Sequence, residues 1–190
     1  MSSPSTYGTD RPHVLITGRD AAQVGGLARA IESTGTRTTI AEKRSDFRGE
    51  SVTALLVVLE PVEDEDWKDW LSNETEVWDI FDDVVPYLSN PSTGLIIGYT
   101  STDDLDMRSD YRLAWEDLAQ TFASAAMSDG GVDFTMNAVE VPVNSQQAIL
   151  EERLAEFFAK RRSTYANNVV LPFEQLVNSS IIAELANSVI

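Results

Sequence analysis

The chain has 190 residues, enough for one domain with a sizeable core, and its 43% hydrophobic and 24% charged content is that of an ordinary globular chain. A net charge of −17 argues against nucleic acid and anionic membranes as partners, and no apolar run approaches the ~20 residues that span a bilayer. With no cysteine there is no disulfide framework and no thiolate metal site; the single histidine, His13, has no neighbouring ligand set, so it is read as structural and no metal is expected.

Residues 1–12, MSSPSTYGTDRP, are polar and read as a disordered tail rather than a signal peptide, which makes the cytoplasm the expected compartment. Residues 13–190 read as a single domain, with no internal repeat and no dividing linker. HVLITG, 13–18, is a short apolar run ending in glycine and predicts a buried strand. Val24, Leu27, Ala28 and Ile31 then recur at helical spacing, and Gly35 suits the helix stop. TRTTIAE, 36–42, predicts a second strand, and VTALLVVLEP, 52–61, a strongly buried third. After an acidic, Trp-rich stretch, Val77, Ile80, Phe81, Val84, Val85 and Leu88 mark a helix over about 74–89. GLIIGYTS, 94–101, predicts the fourth strand, and Tyr111, Trp115, Leu118 and Phe122 the stripe of a helix over about 110–128. GGVDFTMNAVEVPV gives a fifth strand, residues 145–162 a helix with acidic start and basic end, NNVVLPF a last strand, and the tail a short amphipathic helix. This alternation predicts an α/β fold: a Rossmann-like, doubly wound sandwich with a mainly parallel sheet.

These pieces, in this order, resemble the short-chain dehydrogenase/reductase family over nearly the whole chain. HVLITG is similar to its first strand with Thr-Gly. VWDIFDDVVPYLSNPSTGLIIGYTS resembles its interface helix and the strand that delivers a catalytic Ser. YRLAWEDLAQTFASAAMSDGGVDFTMNAVEVP resembles its Tyr-bearing helix and the strand after it, and LAEFFAKRRSTYANNVVLPF its closing helix and strand. In that family a nicotinamide carries hydride and a Tyr phenol the proton. A Lys four residues on lowers the Tyr pKa, a Ser orients the substrate, and an Asn supports a water relay. The resemblance places Asn73 near the Asn position, Ser101 at the Ser position and Tyr111 at the Tyr position, but Trp115 stands in place of the Lys, and a Trp cannot acidify a phenol. These residues also have a structural reading: Asn73 as a helix cap, Ser101 in a strand-end turn, Tyr111 and Trp115 as packed aromatics.

The cofactor loop of the family is Thr-Gly, three residues, then Gly-x-Gly. Here Gly18 is in place, but Gly25 and Gly26 come late, and Asp20 adds negative charge where a pyrophosphate would sit. The structural reading gives Gly18 a tight turn and Gly25 and Gly26 close helix–sheet packing. Two segments are missing. About a dozen residues separate the second and third strands, too few for a βαβ excursion of roughly 30, so the sheet is expected to be shortened at the cofactor edge, with Glu60 facing the crevice. Asn144 runs almost directly into the next helix, leaving no substrate lid.

The resemblance therefore implies a degenerate member that is like the non-catalytic subunit of a heteromeric family enzyme. It would carry no cofactor of its own. It would pair with a catalytic homologue through helices about 74–89 and 110–128, as a hetero-oligomer or else a homodimer, and stabilise or shape that partner's active site. One alternative is an atypical NAD(P)-dependent reductase using Tyr111 and Ser101, with NAD or NADP on this chain and another cation replacing the lysine. The other is a ligand-binding or regulatory Rossmann-like protein. The acidity fits solubility, a saline cell or a less acidic partner.

Overall fold

An apolar strand that sends alternate side chains to two faces is buried only if helices cover both, and the β–α alternation of this chain builds that arrangement. The computed structural model describes residues 11–18, 20–60, 75–101, 105–159 and 166–189. Within them, β1 (His13–Gly18), β2 (Arg37–Ile40), β3 (Val52–Leu59), β4 (Leu88–Thr100), β5 (Phe134–Pro142) and β6 (Val170–Pro172) form one all-parallel sheet in the order β2-β1-β3-β4-β5-β6. The helices are α1 (Ala21–Glu32), α2 (Thr75–Val84), α3 (Leu105–Gly130), α4 (Gln147–Phe158), α5 (Phe173–Leu176) and α6 (Ile181–Asn187).

The two faces of the sheet make two cores. Val14, Ile16, Leu56, Val58, Leu95 and Ile97 pack with α1, α4, α5 and α6. Leu15, Leu55, Val57 and Ile96 pack with α2 and α3, where Phe81 and Phe122 meet edge to face at 4.4 Å and Trp78 stacks on Phe122 at 4.5 Å. The chain crosses from β2, over β1, to β3 in residues 41–51, which hold one short 3-10 turn at Arg44–Asp46 and no helix–strand–helix unit. β2 is consequently the sheet edge.

Several boundaries move. The helix expected over 74–89 gives way after Val84 to a 3-10 turn at Val85–Tyr87, because Pro86 cannot donate to a continuing helix, and Leu88 already pairs with Val52 in β4. Glu74 lies outside the described residues. The helix expected over 110–128 runs from Leu105 to Gly130 and stops at Gly131, whose φ is +62. The helix expected over 145–162 begins at Gln147 and ends at Phe158, with residues 160–162 outside the described set. The last strand shrinks to Val170–Pro172, and the tail forms two short helices instead of one. Of the expected 1–12 tail, residues 1–10 lie outside the described residues, while the Pro12 carbonyl already accepts the Arg37 amide. His13 is buried at the start of β1. Its Nδ1 lies 2.7 Å from the Ser51 carbonyl and its Nε2 2.9 Å from Thr39 Oγ1, and burial pulls its pKa down.

The glycines behave differently from one another. A Cβ on Gly18 would lie 2.9 Å from both Val24 Cγ2 and Val58 Cβ, so this glycine lets α1 approach β3. Gly25 and Gly26 do not serve helix–sheet packing, contrary to expectation. They sit within α1, where an added Cβ would meet only the ends of Arg29 and Glu151 at 3.4–4.0 Å. Gly18→Ala is expected to destabilise the fold by about 1–3 kcal/mol through overpacking, whereas Gly25→Ala should stabilise it by roughly 0.5–1 kcal/mol as a helix-interior substitution. Urea unfolding of both variants checks the opposite signs.

Candidate functional site

In a parallel α/β sheet, ligands meet the carboxyl ends of the strands beside the first helix N-terminus, where free backbone amides attract anions. Here two residues, Arg19 and Asp20, separate Gly18 from α1. Asp20 is the N-cap, and its Oδ1 accepts the amides of Ala22 and Gln23 at 2.9 and 3.0 Å. A carboxylate thus occupies the amides that a phosphate would need. Beside it, Tyr99 at the end of β4 donates its hydroxyl to Gln147 Oε1 at 3.2 Å. Burial pushes this phenol up to about 12, and hydrogen bonding with Gln147 and Gln23 opposes the shift only in part. Tyr99, Gln23 and Gln147 tie the crevice side of α1 to α4. Glu60 follows β3 at the same end of the sheet.

Across the sheet, the residues singled out for proton chemistry are largely packed into the core. Tyr111 is 7% exposed and Trp115 4%, one helical turn apart on α3, with their rings stacked at 5.8 Å and 16°. Burial raises the Tyr111 pKa. The Trp115 ring lies flat on Gly98 of β4, where a Cβ would fall 2.3 Å from it. Gly94, four residues earlier on the same face, makes room for Met136 in the same way. Ser101 is exposed just after β4, next to a strand end where the Val143 amide donates to the Thr100 carbonyl at 3.0 Å. The structure therefore joins Tyr111 to Trp115 in the core and leaves Ser101 in solvent. Asn73 lies outside the described residues. Among the described residues no cluster of His, Cys, Asp or Glu could hold a metal ion. Four residues, 143–146, link β5 to α4, and Ser145 donates to the Pro142 carbonyl there, so this connection is a turn.

The sequence reading passed over Glu140. It is 0% exposed, on β5 between Gly98 of β4 and Pro172 of β6. Arg108 Nε pairs with one of its oxygens and Arg112 Nε with the other. Arg108 also reaches Glu174 of α5 at 3.6 Å, and the adjoining carboxylates hold its guanidinium firmly protonated. The two arginines nearest Tyr111 in sequence are thereby committed to Glu140. A charged residue inside the apolar run NAVEVPV, with two arginines four residues apart on the neighbouring helix, was the available signal.

The architecture matches solved structures at low sequence identity. One is a small-chain dehydrogenase (14% identity, TM-score 0.55), covered over 96% of its length by 86% of this chain. Another is an oxidoreductase of the short-chain dehydrogenase/reductase family from Brucella ovis, in complex with a partially ordered NAD (12%, TM-score 0.51, 99% and 86%). A third is the NADH-dependent reductase A1-R′ responsible for alginate metabolism (13%, TM-score 0.52, 95% and 85%). The fold is that of the short-chain dehydrogenases. No family model and no curated protein matches the sequence.

Because Trp115 is core, a charged side chain there is costly. Trp115→Lys should lose about 3–5 kcal/mol of stability, combining a vacated aromatic site with a buried ammonium. A loss below about 1 kcal/mol in denaturant unfolding would instead mean that the position opens to solvent.

Proposed function

We propose that this chain is a non-catalytic subunit with a short-chain dehydrogenase fold, which associates with a catalytic homologue and stabilises or shapes that partner's active site. The observation that carries this reading is the Asp20 cap: the α1 amides suited to a pyrophosphate are taken by a carboxylate of the chain itself. A dinucleotide would have to displace that carboxylate and lie against its charge. The surroundings of Tyr111 support the same conclusion. A catalytic phenol needs a neighbouring cation and access to substrate, whereas Tyr111 is buried against Trp115, and Arg108 and Arg112 are paired with Glu140. The atypical reductase would need one of those arginines back.

The association half of the proposal rests on what the chain keeps. Helices α2 and α3, the counterparts of the two expected over 74–89 and 110–128, cover the same face of the sheet and touch through Trp78, Phe81 and Phe122. An interface there would exceed the ~1,000 Å² at which an assembly becomes specific if it spanned most of both helices.

The test is to express the chain alone and together with catalytic homologues, determine the native mass of each species, and titrate each with NADH and NADPH. The expected result is a hetero-oligomer that binds dinucleotide on the partner's sites only, with no saturable binding by the lone chain up to about 1 mM, a ligand that would correspond to about −4 kcal/mol. Micromolar binding and carbonyl reduction by the lone chain would establish the reductase instead.

A further inference from the structure

His13 is the one histidine of the chain, and it sits where β1, β2 and the start of β3 meet. Its backbone is fixed to β3: the amide donates to Thr53 Oγ1 at 2.8 Å, and that hydroxyl donates to the His13 carbonyl at 3.0 Å. The side chain is buried and has a partner at each nitrogen. Nδ1 lies 2.7 Å from the Ser51 carbonyl, which can only accept, so Nδ1 carries the proton. Nε2 is then the acceptor and takes the Thr39 hydroxyl of β2 at 2.9 Å.

A second proton, on Nε2, conflicts with this arrangement. Thr39 would have to turn its hydroxyl from donor to acceptor, and an imidazolium would stand in a buried site. The charged groups on the surrounding elements are Arg37 of β2, paired with Glu50, then Asp46 and Arg48 of the 41–51 crossover, and Glu32 of α1, which accepts from Thr38. Burial disfavours the cation most and Arg37 adds to it, while the Ser51 carbonyl opposes them only in part, so the ring stays neutral below its ordinary value of about 6.5. Relief can come from one side. β1 is held between β2 and β3, and Ser51 leads into a strand buried at every position. β2 has four residues, none of them fully buried, and pairs with β1 alone. Thr39 also lines a cleft of about 240 Å³ with Asp46, Phe47, Arg48 and Glu50, which gives water a route to its hydroxyl.

We propose that His13 is an acid-released latch on the edge of the sheet: neutral, it holds β2 through Thr39, and protonated it lets β2 separate and bare the outer edge of β1. An uncovered strand edge is a site for pairing with another chain, so the latch governs whether that edge is available. The open form takes up the proton at the ordinary value and the closed form at a lower one. Opening therefore grows as pH falls through about 6.5, by at most tenfold per pH unit for one proton.

Native-state hydrogen exchange on the intact chain tests this. The Arg37 amide donates to the Pro12 carbonyl and the Ala41 amide to the Ile16 carbonyl, both at 2.9 Å, so their protection reports the closure of β2. The Ala138 amide, which donates to the Val169 carbonyl at 2.8 Å beside the opposite edge, is the reference. From about pH 7.5 to about pH 5.5, protection at Arg37 and Ala41, corrected for intrinsic exchange, is expected to fall about three- to tenfold, while Ala138 changes less than about twofold. His13→Gln, neutral throughout this range, should remove the pH dependence. Nitrogen NMR of the wild-type ring should show the Nδ1–H tautomer at neutral pH, and the wild-type readouts decide the matter if the variant does not fold. Equal losses at both edges, no loss at β2, a loss that survives His13→Gln, or an Nε2–H tautomer would each overturn the proposal.

Discussion

Glu140 is a fully buried carboxylate between two parallel strands, and it is tolerable there only because Arg108 and Arg112 reach it together from α3. Leaving a buried charge without its partner costs several kcal/mol in general, so the helix is held to this contact. The two arginines lie one turn apart on α3, and their convergence on one carboxylate fixes the rotation of α3 as well as its position. With that rotation set, Tyr111, Trp115, Leu118 and Phe122 turn into the core and Leu113, Asp117 and Met127 turn to solvent. Gly98 completes the arrangement by giving the Trp115 ring a flat bed on β4.

The same contact links the chemistry to the surface. Both arginines of α3 are spent on fastening the helix to the sheet. At the other end of the crevice, Asp20 takes two amides of α1, and Tyr99 with Gln147 draws α1 and α4 together. Each of these arrangements is locally stabilising. A capping carboxylate contributes about 1 kcal/mol, and a packed Trp far more than an exposed Lys. In the proposed reading, polar groups that would otherwise be held ready for a ligand are satisfied internally, and the outer faces of α2 and α3 become the part of the molecule that does work.

Most of the architecture was legible because buried parallel strands write themselves as apolar runs. VTALLVVL is buried at every position, and the parallel, doubly wound sheet follows from the β–α alternation, with too few residues between 40 and 52 for a further helix–strand–helix unit. Helix ends were less legible. The apolar spacing of Val84, Val85 and Leu88 continues past the point where the helix ends, so periodicity alone could not see that Leu88 belongs to β4. At the site, Gly18, Asp20 and Trp115 carried their message in sequence. Glu140 showed only as a charge inside an apolar run, because its partners lie 28 and 32 residues away and only tertiary packing brings them together. Gly25 and Gly26 misled, because glycines near a first helix suggest close approach, yet these point toward the ends of long side chains.

The central claim is that, while Arg108 and Arg112 are paired with Glu140, burial holds the Tyr111 phenol above its ordinary range. Its titration can be followed by NMR on tyrosine-labelled protein with the ring Cζ as the probe, the signal being assigned by its loss in Tyr111→Phe. The account predicts that Tyr111 ionises above the ordinary tyrosine value of about 10, in keeping with its burial. A midpoint below about 8 would mean that a cation reaches the phenol after all and would contradict the account.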